Sequence, residues 1–343
     1  MKHTQLTGKN QQSTTNNQPN FFNPDKVGEV YRVPYLNRAA EAETWAKEHH
    51  IKSAAQDSQK VGLLLIDVQN TFCIPDFELF VNGAVEDNVR LCKFIYRNLR
   101  SITEIIPTMD SHTAMQIFHP IFWINAVGEH PIPGTIISYE EVQQGKWKVN
   151  LELANSLTDG NINKLEQHGL HYAKKLSDDG KYPLTIWTYH SMLGGIGHAL
   201  VSAVEEAVFF HSIARKSQTN FELKGSNPLT ENYSVLSPEV TDSADGKSIA
   251  HKNSSLVAKL LNFDLLIIAG QAKSHCVAWT VDNLLAEIQG REEDLAKKIY
   301  LLEDCMSPVI IPDVIDFTEQ ADAAFNKFAE AGMNIIKSTE ILF

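Results

Sequence analysis

The chain predicts an α/β fold, a three-layer sandwich with a mainly parallel central sheet. Three observations carry this expectation. Val61–Ile66 is a continuous apolar run and Phe263–Ala269 a short, largely apolar one, the pattern of strands buried in a parallel sheet. Stretches with helical spacing separate the strand-like runs, and strands alternating with helices through right-handed crossovers give a sheet covered on both faces. Reactive side chains fall at or just past the strand ends, with Asp67, Lys224 and Cys276 each in such a place. That edge of an open α/β sheet is where ligands bind.

Taken in order, residues 1–26 read as a flexible tail, rich in Asn, Gln and Thr and almost without apolar residues before Phe21, so they have little to bury. Residues 27–343 read as a single domain. Its opening arm carries a helix over Asn37–His49 with few core residues, placed on the surface or on a partner subunit. After the strand ending at Asp67, Val85–Leu99 spaces its apolar residues as a helix. Ile102–Met109 forms a second strand, again followed by an acid, Asp110. Regular alternation then stops until Tyr182. Turn signals such as Pro131-Ile132-Pro133-Gly134 punctuate this stretch, with a helix over Asn161–Leu176, and residues 113–182 are expected to form a cap or lid insertion. Strands resume at Pro183–Trp187 and Thr219–Leu223, with a helix opened by Gly194-Gly195-Ile196-Gly197 between them. His251–Leu261 is helical, Phe263–Ala269 is the next strand, and Val277–Ile288 is the helix behind Cys276. Lys298–Leu302 and Asn334–Lys337 supply the last strands, around a helix over Val314–Ala331.

Composition narrows the function. A net charge of −12 over 343 residues argues against nucleic acid or an anionic membrane as partner, since both reward clustered Lys and Arg. The four cysteines show no CxxC spacing, so neither a disulfide framework nor a cysteine zinc site is indicated, and a reducing, cytoplasmic setting is expected. No apolar run has membrane-spanning length.

The residues at the strand ends suggest chemistry. Cys276 lies where a strand turns into a helix, and the positive end of a helix favours thiolate. Asp67 is placed to take a thiol proton, and Lys224 to stabilise the resulting charge. Each residue alone has a plainer reading: a packed cysteine, a turn-capping Asp, a solvated Lys. Asp110 and His112 alternate on one side if the chain there is extended. With His190 they make three ligands and leave positions open for water or substrate, as a catalytic metal site does. Helix neighbours do not face each other, so His275 is a poor base for Cys276, and contact with substrate or plain packing is expected of it. Cys73, Cys92 and Cys305 read as structural, and His198 as a helix-start residue.

Five segments extend this reading. Asp67-Val68-Gln69-Asn70-Thr71-Phe72, Asp110-Ser111-His112, Trp187-Thr188-Tyr189-His190, Lys224-Gly225-Ser226-Asn227-Pro228 and Gly270-Gln271-Ala272-Lys273-Ser274-His275-Cys276-Val277 together resemble, in order, the nicotinamidase branch of the isochorismatase-like cysteine hydrolases. The resemblance spans about Val61 to Cys305. It implies the isochorismatase-like hydrolase fold, with Asp67, Lys224 and Cys276 as catalytic triad. It implies Asp110, His112 and His190 as ligands of a divalent metal, zinc first, with iron and manganese as alternatives. Phe72 and Trp187 match the aromatic residues flanking the substrate ring, and His275 joins them as a substrate contact. The Gln271–Ala272 peptide matches the family's cis bond, and the amides of Ala272 and Cys276 match its oxyanion hole. The chain departs from the family at Lys273-Ser274 and in the length of the stretch between His112 and His190. His119 sits at an unusual spacing from His112 and is placed beside the metal, not among its ligands.

The expectation is an amidohydrolase that converts nicotinamide or a similar small aromatic carboxamide to the acid and ammonia through a thioester. Its partner is that small amide, and self-association is expected from the family's habit of forming homo-oligomers. Three rivals stand beside it: a cysteine hydrolase of the superfamily with another small substrate, metal-activated water that would leave Cys276 dispensable, and a binding protein on the same fold.

Overall fold

Six strands form one parallel sheet: β1 (Val61–Ile66), β2 (Glu104–Asp110), β3 (Glu222–Lys224), β4 (Leu265–Gly270), β5 (Ile299–Leu302) and β6 (Asn334–Ile336). They lie in the order β6-β5-β4-β1-β2-β3, and each neighbouring pair is parallel. The computed structural model describes residues 18–289, 291, 294–311 and 315–340. Most of the expected tail, residues 1–17, lies outside them, as does Val314.

All six residues of β1 are buried, which its unbroken apolar run requires of a central strand. The chain runs outward from β1 to β3, returns to β4, and runs outward the other way to β6. The two directions diverge between β1 and β4, and such a switch point opens a crevice at the carboxyl ends of the strands. Right-handed crossovers place the helices Ala84–Arg97 and Ser202–Arg215 on one face and those after β3 on the other. The longer helices are α1 (Tyr35–Glu48), α2 (Ala84–Arg97), α3 (Ile162–Asp178), α4 (Ser202–Arg215), α5 (Ser254–Leu261), α6 (Ala278–Ile288) and α7 (Thr318–Glu330). Among these described helices none is long and apolar enough to cross a membrane. The apolar stripe of α2, including Leu91, Phe94 and Ile95, packs into the core built on the sheet.

The arm before β1 lies on its own chain. Phe21 meets Tyr96 and Phe210 with ring centroids 6.0 and 5.4 Å apart, so the part of the expected tail that is described, from residue 18, is anchored by its aromatic pair. Arg38 Nε donates to Glu206 Oε1 at 2.6 Å, tying α1 to α4.

Residues 113–182 supply most of a second hydrophobic cluster, with Ile117, Phe118, Phe122, Trp123, Leu165 and Tyr172 buried in it, and Leu184, Ile186, Trp187 and Val240 complete it. Leu184–Thr185 belongs with this insertion, pairing antiparallel with Ile136–Ile137. The strand expected over Pro183–Trp187 is therefore not a member of the main sheet. The helix expected from Gly194 begins only at Ser202. Ile196–His198 is a single 3-10 turn, and Ala199–Val201 after it runs extended against the segment after β1, with Asn70 N–H donating to Ala199 O at 2.8 Å and Val201 N–H to Val68 O at 3.0 Å. The strand expected over Thr219–Leu223 is Glu222–Lys224, which makes Lys224 its last residue.

Candidate active site

The switch point brings Asp67, from the end of β1, beside Cys276, from the turn after β4. Close approach of these two strand ends depends on Gly270. At its φ of +130° a Cβ atom would lie 2.0 Å from Ile66 O, so no side chain fits. Lys224 reaches the same place from β3. Its Nζ lies 3.0 Å from Asp67 Oδ2, 2.9 Å from Asp110 Oδ1, 2.7 Å from Asn232 O and 3.7 Å from Cys276 Sγ. An ammonium has three protons and here faces four acceptors, so it is held as a fixed charge.

Asp67 adopts a left-handed backbone conformation, φ +47°. Thr108 Oγ1 accepts its N–H at 3.0 Å and donates to its Oδ1 at 2.5 Å. Burial pushes the Asp67 carboxyl above the usual range despite the neighbouring Lys224, which makes it a stronger base. Burial would lower Lys224, but the Asp110 and Asp67 carboxylates hold it well above its ordinary value, and it stays charged. Cys276 is pushed well up by burial, against the pull of Lys224. Burial therefore opposes the helix end and Lys224, which favour the thiolate.

Cys276 sits in a wide turn, Lys273–Val277, that leads into α6. The Gln271–Ala272 peptide is cis, and the Ala272 N–H takes no acceptor among the described residues. Above the sulfur lies a pocket walled by Phe72, Trp187, Tyr233, His275 and Val309, with Asp110, His190 and Glu231 also lining it. His275 is 4% exposed, and burial pushes it down to about 3, so it is neutral. Its ring packs among Tyr182, Trp187, Tyr233 and Phe317. Tyr233 and Glu231 escaped sequence reasoning because they lie on a long irregular segment with no periodicity. Trp187 Nε1 donates to Tyr233 Oη at 3.0 Å, and Glu231 N–H to Tyr172 Oη at 3.2 Å.

Beside the pocket, His112, His119 and His190 bring ring nitrogens within 4.8 Å of one another. Each Nδ1 faces a carbonyl: His190 O at 3.2 Å for His112, Ala114 O at 3.1 Å for His119, Thr188 O at 2.7 Å for His190. That fixes the proton on Nδ1 and leaves Nε2 as a lone pair, the usual arrangement of metal-binding histidines. Nε2 of His112 and of His119 are buried without a partner. His112 Nε2 stands 2.9 Å from Asp110 Oδ1, which is also paired with Lys224. Buried ring nitrogens left without a donor suit a cation. The donor set fits a divalent metal. Burial holds His112 and His119 below the usual histidine range, His119 at about 3, so both are neutral. His119 thus stands with His112 and His190 in a group that could hold an ion, and its signal in the sequence was only a third histidine a short way past His112. Asp110 Oδ2 is 3.7 Å from His190 Nε2, so Asp110 faces both the histidines and Lys224.

No family model matches the chain. No curated protein matches it. Among solved structures, the nicotinamidase/pyrazinamidase of Acinetobacter baumanii is similar, with a TM-score of 0.50 and 17% identity over 83% of this chain and 99% of the other. The yeast nicotinamidase bound to the inhibitor nicotinaldehyde gives 0.51 and 16% over 81% and 99%. A second structure of the yeast nicotinamidase gives 0.51 and 17% over 80% and 99%. At this identity the likeness establishes architecture, and the chain has the isochorismatase-like α/β fold that the nicotinamidases carry.

Proposed function

We propose that this protein is a cysteine amidohydrolase that converts nicotinamide or a related small aromatic carboxamide to the carboxylic acid and ammonia. One observation carries the reading: Lys224 Nζ stands 3.0 Å from Asp67 and 3.7 Å from Cys276 Sγ, under a pocket walled by aromatic rings. Asp67 takes the thiol proton as Sγ forms a bond to the amide carbon, and the carbonyl electron pair moves to oxygen. The fixed charge of Lys224 stabilises the sulfur while its proton is in transit. The N–H groups of Ala272 and Cys276 receive the oxyanion, a contribution of about 3–4 kcal/mol per donor in comparable sites.

The intermediate collapses, the C–N bond breaks, and the proton held by Asp67 goes to the nitrogen, so ammonia leaves and a thioester remains. Water, losing its proton to Asp67, then adds to the thioester carbon. Collapse of that adduct frees the acid and returns the thiol. Phe72, Trp187 and Tyr233 hold the flat ring. His112, His119 and His190, with Asp110 beside them, would hold a divalent ion, zinc first; it supplies a Lewis acid for a ring nitrogen.

Ammonia release from nicotinamide by the full chain, with zinc, manganese or iron added, tests the reading. Release above the protein-free rate is expected. No release with any of the three metals would overturn nicotinamide as substrate.

A further inference from the structure

Asp87 takes no part in the chemistry above, yet it is tied to the loop that performs it. It lies in the first turn of α2 and is 2% exposed. A carboxylate so far from water needs donors, and it has three. Its Oδ2 accepts from Gln271 Nε2 at 2.8 Å and from Ser307 Oγ at 2.7 Å, and its Oδ1 accepts from Arg90 Nη2 at 2.7 Å. Gln271 immediately precedes Ala272. The other end of the same amide, Oε1, accepts the N–H of Ser307 at 3.2 Å. Ser307 O in turn accepts the N–H of Lys273 at 2.8 Å. Two residues on, Val309 N–H donates to Ser274 Oγ at 3.0 Å, and Val309 lines the pocket. Residues 307–309 therefore lie against the nucleophile loop as a strap, and one carboxylate oxygen joins strap and loop.

We propose that Asp87 is a positioning residue. Through Gln271 and Ser307 it holds the Ala272 N–H where the oxyanion forms. The inference rests on the cysteine mechanism proposed above. Donors aimed at developing charge act by being fixed beforehand, so a loop free to shift loses rate and not affinity for the ground state.

The experiment compares Asp87→Leu, Asp87→Asn and wild type by steady-state hydrolysis of nicotinamide and by binding of two probes. Pyridine-3-carbaldehyde adds the Cys276 sulfur to its carbonyl carbon, with the thiol proton passing to the new hydroxyl, and so uses the same amide. Nicotinate binds as a planar acid. Asp87→Leu is expected to lower kcat by about 10–100-fold and to weaken the aldehyde in step, with KM and nicotinate affinity within about twofold. Asp87→Asn keeps an oxygen for both donors and is expected to recover most of the rate. Gln271→Met, which cuts the link from the other side, should repeat the pattern if Asp87→Leu does not fold. Equal weakening of aldehyde and nicotinate, or an unchanged kcat, would overturn the proposal while wild-type turnover stands. A wild type without turnover would instead overturn the reading on which it rests.

Discussion

Asp110 and Lys224 are register partners on adjacent parallel strands, and their side chains form a buried ion pair of 2.9 Å. This pair joins the two halves of the site, since Asp110 also faces the histidines and Lys224 also faces Asp67 and Cys276. The halves should therefore respond differently to two matched substitutions. Asp67→Asn is expected to abolish turnover and leave zinc affinity within about twofold. Asp110→Asn is expected to weaken zinc at least tenfold and also to lower turnover, because the Lys224 charge loses a partner in a dry site. Zinc titration of the chelator-treated proteins beside the ammonia assay separates the two; equal zinc affinity in both would contradict the coupling.

His119 supplies a second test. Its Nε2 is buried without a partner beside those of His112 and His190. His119→Ala should weaken zinc binding by at least about tenfold, in the range seen when supporting groups of a metal site are lost, and should be milder than His112→Ala. Competition with a chromogenic chelator reads the affinity directly, and an unchanged value would return His119 to a packing role.

A third prediction concerns pH. His211 is 1% exposed, its Nε2 faces Ile102 O at 2.9 Å, and burial holds the ring down to about 4. The unfolded chain takes up this proton near the ordinary histidine value of about 6.5, before the native state does. The stabilisation is thus present above about pH 6.5 and lost as pH falls towards 4, at about 1.4 kcal/mol per pH unit. His211→Gln keeps a donor for Ile102 O without titrating. Its urea midpoint should fall less steeply than the wild type's between pH 6.5 and 4.5, and parallel curves would contradict the assignment.

The insertion offers a fourth. Trp123 is fully buried in its core and donates Nε1–H to Ile117 O at 2.6 Å. Trp123→Ala should cost about 3–5 kcal/mol, and because this core is distinct from the one on the main sheet, the loss should concentrate in residues 113–182. Limited proteolysis is expected to cut there first while the sheet-bearing segments persist; simultaneous cleavage throughout would contradict a separate core.

Much of the site was legible because of where its residues fall. Asp67 and Asp110 close or follow apolar strands, Lys224 ends one, and Cys276 follows one by a short turn, so a parallel sheet carries them to one edge whatever lies between. His119 was not legible as a ligand because nothing periodic links it to His112; the turn over residues 113–119, closed by Ala114 O and the N–H of His119 on Gln116 O, brings the rings together. Glu231 and Tyr233 were hidden for the same reason, being placed by hydrogen bonds to Tyr172 and Trp187, which lie far away in sequence. The run Pro183–Trp187 misled because an apolar pair in a two-stranded ribbon of the insertion looks, in sequence, like a strand of the main sheet. The helix end beside Cys276 is visible in sequence, and the burial that opposes its effect on the thiol is not.

In the proposed reaction the Cys276 sulfur, and not metal-activated water, is the nucleophile. Cys276→Ala removes that sulfur and leaves the pocket's aromatic walls and the three histidines beside it in place. In the ammonia assay with nicotinamide and added zinc, the variant should release no ammonia above the protein-free rate while binding nicotinate as the wild type does. Turnover by Cys276→Ala at a rate near that of the wild type would contradict the account and hand the reaction to the metal site.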